Sequence, residues 1–202
     1  MDYQYCHRWD TESRTPDDPI SEEEAERCFR GEVAEPDHWF SVFASKHPGV
    51  ERAAPEYLLE VLPGASYVNV KFLDPYCSER YSYGFTRLDD SLFVSHVTEH
   101  RYPGKPQHHG LDEAIYVAQY LFKPDGYTKE VVMDDSDPLT HMSEYLEVDV
   151  SKHREPVPEF GAWESLGGSI AGDRAHQRAD EGECGWRSNR RDRFPCARRV
   201  AT

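Results

Sequence analysis

The string His96-Val97-Thr98-Glu99-His100 carries the residue types of a metal-dependent hydrolase. On a helix, an H-x-x-E-H run sets two imidazoles one turn apart on one face, where they chelate zinc while the glutamate acts as general base. The neighbouring residues point elsewhere. Leu92-Phe93-Val94 and Val97-Thr98 favour a strand. Residues four apart on a strand are separated by about 13 Å, too far to share an ion whose ligands sit about 2 Å from it. Half-exposed strand histidines are therefore expected. A metal-dependent enzyme built on His96, His100 and His108 would need loop 103–110, which carries His108-His109 among prolines and glycines, to fold back onto the strand.

Other chemical motifs are incomplete. Asp134-Asp135-Ser136-Asp137 has the acidic start of a calcium loop but lacks the sixth-position glycine and the closing glutamate. A solvated acidic turn between strands is expected there. Gly168-Ser169-Ile170-Ala171-Gly172 has its serine one place early for a nucleophile elbow, and no strand precedes it. No P-loop or G-x-G-x-x-G occurs. The five cysteines, Cys6, Cys28, Cys77, Cys184 and Cys196, have no CxxC spacing. They read as reduced thiols, with no zinc ribbon or redox pair. The chain leans away from catalysis, with no catalytic residue and no cofactor assigned.

The elements that position these residues follow from turn and period signals. Residues 1–20 read as an irregular N-terminal segment, with Thr15-Pro16-Asp17-Asp18-Pro19 as a loop. Ser21 sits three before Glu24, a capping-box spacing, and predicts a helix over 22–30 that ends at Gly31. Trp39, Phe40 and Phe43 predict a second helix over 37–45. From Tyr57 the period becomes two. Strands are predicted at 58–62, 67–73, around 81–85 and at 92–98. Residues 115–122 lean to strand over helix because β-branched and aromatic residues dominate them. Pro124-Asp125-Gly126 is a turn into a strand at 127–133, and a last strand is predicted over 144–150. The fold class is therefore α+β: a mostly antiparallel sheet of six to seven strands with one or two N-terminal helices.

Composition changes near residue 166. Residues 1–166 hold 15 Lys and Arg against 33 Asp and Glu, whereas 167–202 hold 8 Arg and 5 acids. The expected organisation is a single α+β domain over 21–166 and an Arg-rich disordered tail over 167–202. No run of 18 apolar residues occurs, so no membrane span is expected. Met1–Arg14 lacks the apolar core of a secretory signal, which makes the cytoplasm the expected compartment. An acidic body repels a phosphate backbone and attracts basic proteins.

The segment Val157-Pro158-Glu159-Phe160-Gly161-Ala162-Trp163 resembles the V-P-x-F-G-x-W core of plant NOI-type segments. The resemblance ends at Trp163 and carries no function over. From the residues alone, Phe160 and Trp163 either pin the chain end against the sheet or form a partner-binding motif. The leading functional reading is a non-catalytic acidic binding or regulatory protein that engages a basic protein partner, as toxin-neutralising immunity proteins do. The alternatives are the metal-dependent enzyme of the His96/His100 region and a transcription-linked regulator that uses Arg187, Arg190, Arg191 and Arg193 as a basic arm.

Overall fold

The computed structural model describes residues 3–33, 39–44, 55, 57–167 and, as backbone, 198–200. Twelve strands among them form one antiparallel sheet. In chain order these are β1 (Tyr3–Asp10), β2 (Thr15–Ile20), β3 (Phe40–Ala44), β4 (Tyr57–Val61), β5 (Tyr67–Leu73), β6 (Glu79–Leu88), β7 (Ser91–Arg101), β8 (Tyr116–Phe122), β9 (Thr128–Asp134), β10 (Asp137–Leu146), β11 (Arg154–Pro156) and β12 (Arg198–Val200). Across the sheet the order is β12-β10-β9-β8-β7-β6-β5-β4-β3-β1-β2, and β11 pairs separately with β7. The mostly antiparallel sheet is as expected, but six to seven strands was too few.

The extra strands have identifiable causes. The segment expected to be irregular over 1–20 instead forms the β1–β2 hairpin. Asp10 closes its turn: Oδ1 accepts from the Glu12 amide at 2.9 Å and Oδ2 from the Ser13 hydroxyl at 2.7 Å. Pro16 and Pro19 read as loop markers, yet β2 is an edge strand of the sheet, the position where strands tolerate proline. The helix expected over 37–45 is replaced, in its described part, by β3. That strand is flanked by β1 and β4, and it buries Phe40 and Val42 on one face and Ser41 and Phe43 on the other. Pairing on both sides outweighs local propensity here.

The strand expected over 144–150 belongs to β10 and stops at Leu146. Glu147 takes a φ of 60°, and the Val148 amide donates to the Gly126 carbonyl at 3.0 Å, which turns the chain off the sheet. The 115–122 segment is a strand, preceded by a short 3-10 turn over Leu111–Glu113. The tail reading lies outside the described residues except at Gly167, which closes a helical turn over 164–167, and at Arg198–Val200. Those last three residues pair antiparallel with Leu146–Glu144. They cover the edge that β10 would otherwise leave with unpaired backbone groups.

The register assigns the two faces. Ile20, Tyr5, Val42, Leu59, Val70, Tyr83, Val97 and Tyr120 lie in one cross-strand row on the inner face. The helix α1 (Glu22–Phe29) packs on this face through Ala25 and Cys28, with Ser21 Oγ accepting from the Glu24 amide at its start. The closing segment adds Phe160, Trp163 and Leu166 to the same core. The opposite, outer face carries Cys6, Ser41, Glu60, Asn69, Gly84, His96 and Leu121 in the adjacent row.

Candidate functional site

The outer face divides into two regions. Over β4–β7 it is polar and covered by the segment that follows β7. Over β8–β10 it is apolar and exposed.

In the covered region, His96 and His100 both sit on β7, four residues apart, and they have separate surroundings. A Cβ added to Gly84 would lie 1.8 Å from His96 Cε1. The imidazole therefore fills the space above a glycine. It stacks on Tyr67 with ring centres 6.2 Å apart, and His96 Nε2 lies 3.4 Å from the Tyr67 hydroxyl. His100 instead begins a column of rings, stacked on Tyr102 at 6.3 Å, which stacks on His109 at 5.4 Å. The loop after β7 does fold back onto the sheet. It presents His109 there, while His108 Nδ1 turns to within 3.3 Å of the Tyr76 carbonyl. The Tyr102 hydroxyl donates to the Glu79 carbonyl at 2.9 Å and the His109 amide donates to Ser78 Oγ at 2.9 Å, which tie the loop down. Among the described residues, no three His, Cys, Asp or Glu side chains are grouped so as to hold a metal ion. His96, His100 and His108 are not brought together.

Beside this column lies a partly buried charge triad that the sequence did not single out. Lys71 Nζ is 2.6 Å from Glu60 Oε1 and 3.7 Å from Glu79 Oε2. Asn69 Nδ2 donates to the other Glu60 oxygen at 3.0 Å. Burial pushes the Glu79 carboxyl above its ordinary range even though Lys71 pulls the other way. The only sequence signal was the polar set Glu60, Asn69 and Lys71 alternating with apolar residues. Its convergence with Glu79 and His109 depends on register and on the loop.

The histidines make a pH dependence that can be measured. Burial holds His96, His100 and His153 below the ordinary histidine value, and Arg80 adds to this at His100. Each binds fewer protons folded than unfolded in the window just below about pH 6.5. Each therefore contributes stability that is complete above that value and is lost as the pH falls through its folded pKa, with a slope of at most about 1.4 kcal/mol per pH unit. Glu79 has the opposite sign, because its raised pKa makes stability fall as the pH rises above the ordinary carboxyl range. With three groups against one, urea denaturation should give a stability that rises between about pH 5.5 and about pH 7. A flat or falling profile would show that these rings are not desolvated as described.

The second region is the exposed apolar face. Val117, Gln119 and Leu121 of β8 lie beside Met133, Val131 and Lys129 of β9. Met142 and Glu144 of β10 lie beside Val131 and Lys129. Met142 is 57% exposed, Leu121 48%, Leu146 41% and Met133 40%. The chain has three methionines, and two of them stand on this face. Carboxylates stand at two of its ends. Asp134, Asp135 and Asp137 occupy the β9–β10 turn beside Asp112 and Glu113, and Asp125 and Glu147 stand at the other end. The tetrad 134–137 is the acidic turn expected from sequence, with Asp134 Oδ1 accepting from the Ser136 amide at 2.9 Å.

The aromatic pair of the closing segment is committed to the core. Trp163 is fully buried, its indole N–H 3.4 Å from the Tyr5 hydroxyl, and Phe160 stacks on Tyr5. Of the two roles open to these rings, the structure supports anchoring and removes Trp163 as a free partner-binding residue. No helix among the described residues is long and apolar enough to cross a membrane. No protein-family model, no curated protein sequence and no solved structure matches the chain.

Proposed function

We propose that this chain is a non-catalytic binding or regulatory protein that engages a basic protein partner through the exposed face of β8–β10. The observation that carries this reading is the combination of Leu121, Met133 and Met142 on an open sheet face with carboxylates at both of its ends. Large exposed apolar patches mark interaction sites. Methionine is unbranched and polarisable, so it adapts to a partner's shape. An acidic rim speeds encounter with a cationic surface and rejects acidic competitors. The partner that fits presents apolar side chains within a field of Lys and Arg.

The experiment is affinity capture from the native host at low and high salt, with wild type and Met142→Asp as parallel baits. Aspartate at this exposed position leaves the core untouched. The expected result is a basic protein that wild type retains, that high salt releases and that the variant does not retain. Equal recovery by both baits would move the interface elsewhere, and recovery of no basic protein at low salt would remove the reading.

A further inference from the structure

A cleft of about 340 Å³ opens beside the charge triad, between the end of β1 and the loop after β7. Trp9, Trp39, Glu60, Lys71, Glu79 and His109 are among the residues that line it. We propose that this cleft binds a small, neutral, polyhydroxylated ligand of mono- or disaccharide size. The site is separate from the apolar face of β8–β10 and does not depend on the function proposed for that face.

Three features select this chemistry. First, the lining offers both kinds of polar group. Arg8 and Lys71 are donors, and Asp10, Glu60 and Glu79 are acceptors. A ligand must therefore offer acceptors as well as donors, as hydroxyl groups do. Second, the charges nearly balance. Arg8 and Lys71 face Asp10, Glu60 and Glu79, and burial shifts Glu79 toward its neutral form. An anion or a cation gains little there. Paired carboxylates still accept strongly from hydroxyl donors. Third, Trp39 belongs to the lining and is 46% exposed. It offers a flat apolar ring of the kind that covers the C–H face of a sugar while its edge stays wet. The volume falls at the small end of the range for ligand sites.

The test uses protein labelled at its tryptophan indoles and a panel of neutral mono- and disaccharides, followed by nuclear magnetic resonance. The chain has four tryptophans, so the indole N–H region is simple. At least one sugar should shift the Trp9 and Trp39 signals, with a Kd on the order of 1 mM, and leave Trp163 in place. Trp39→Ala should weaken that sugar about tenfold while keeping the Trp9 and Trp163 signals, which reports that the variant is folded. Trp39→Phe, which retains a ring, should bind within a few-fold of wild type. The proposal is overturned if no sugar moves these signals at about 50 mM, if Trp39→Ala binds as well as wild type, or if inorganic phosphate or methylguanidinium occupies the site more tightly than any sugar. The Met133 and Met142 methyl signals should not respond to the sugar, so failure here and failure of the protein-partner reading are distinguishable.

Discussion

Replacing Trp163 by alanine is expected to destabilise the protein by about 3–5 kcal/mol, lowering the melting temperature by on the order of 10 °C. The side chain is fully buried and meets Phe40, Phe29 and Phe160 edge-on at ring separations of 6.2, 5.7 and 5.7 Å. Its removal opens a cavity between α1 and the sheet and frees the Tyr5 hydroxyl of its indole donor. The closing segment reaches the core from the far end of the described domain. A chain ending before Phe160 should lose as much or more, because Phe160, Trp163 and Leu166 leave together. Thermal and urea denaturation of both proteins provide the measurement. A loss below about 1 kcal/mol for Trp163→Ala would mean that the segment lies on the surface and does not anchor the fold.

A second large effect is expected at Gly84. On an extended strand, Gly→Ala ordinarily stabilises by reducing the freedom of the unfolded chain. Here the sign should reverse. The new methyl group would overlap His96 Cε1, Nδ1 and Nε2, at 1.8, 2.3 and 2.5 Å. The imidazole must swing out and give up its stack on Tyr67. Gly84→Ala should therefore cost about 1–3 kcal/mol. In a His96→Ala background the same substitution should be neutral or stabilising. A double-mutant cycle by urea denaturation reads the coupling, and strictly additive effects would contradict the packing of His96 over Gly84. The outcome also separates a packing role for His96 from the metal-ligand role that its motif suggested.

These two residues show where sequence reading succeeded and where it stopped. The H-x-x-E-H string was legible as a strand because Phe93, Val94, Val97 and Thr98 are poor helix material, and β7 indeed spans it. The Pro124-Asp125-Gly126 turn was legible because its chemistry is local. Gly126 has φ 85°, and Asp125 Oδ1 accepts from the Tyr127 amide at 2.9 Å. Trp163 as an anchor was half legible, since an isolated Phe-Gly-Ala-Trp near a composition break needs somewhere to bury its rings. Gly84 was not legible at all, because its neighbour across the ladder is set by a register shift between Gly84 and Phe85.

The β1–β2 hairpin and β3 were missed for a related reason. Prolines in β2 and an aromatic cluster in β3 carry loop and helix signals, and only an edge position and two flanking partners override them. The candidate surfaces were the least legible part. Leu121, Met133 and Met142 are scattered in sequence and adjacent only through the β7–β10 register. Glu60, Lys71, Glu79 and His109 converge only because a loop folds back. The acidic balance was visible from the start, but not that carboxylates would stand at the ends of the β8–β10 face.

The proposed partner-binding face can be read directly from the methionine methyl groups. With carbon-labelled methionine the protein should give three methyl signals, from Met1, Met133 and Met142. When the basic protein recovered by capture is titrated in at low salt, the Met133 and Met142 signals should shift or broaden together, Met1 should stay unchanged, and added salt should reverse the effect. A basic partner that binds while both face methionines remain unmoved would contradict the assignment of this face as the interface.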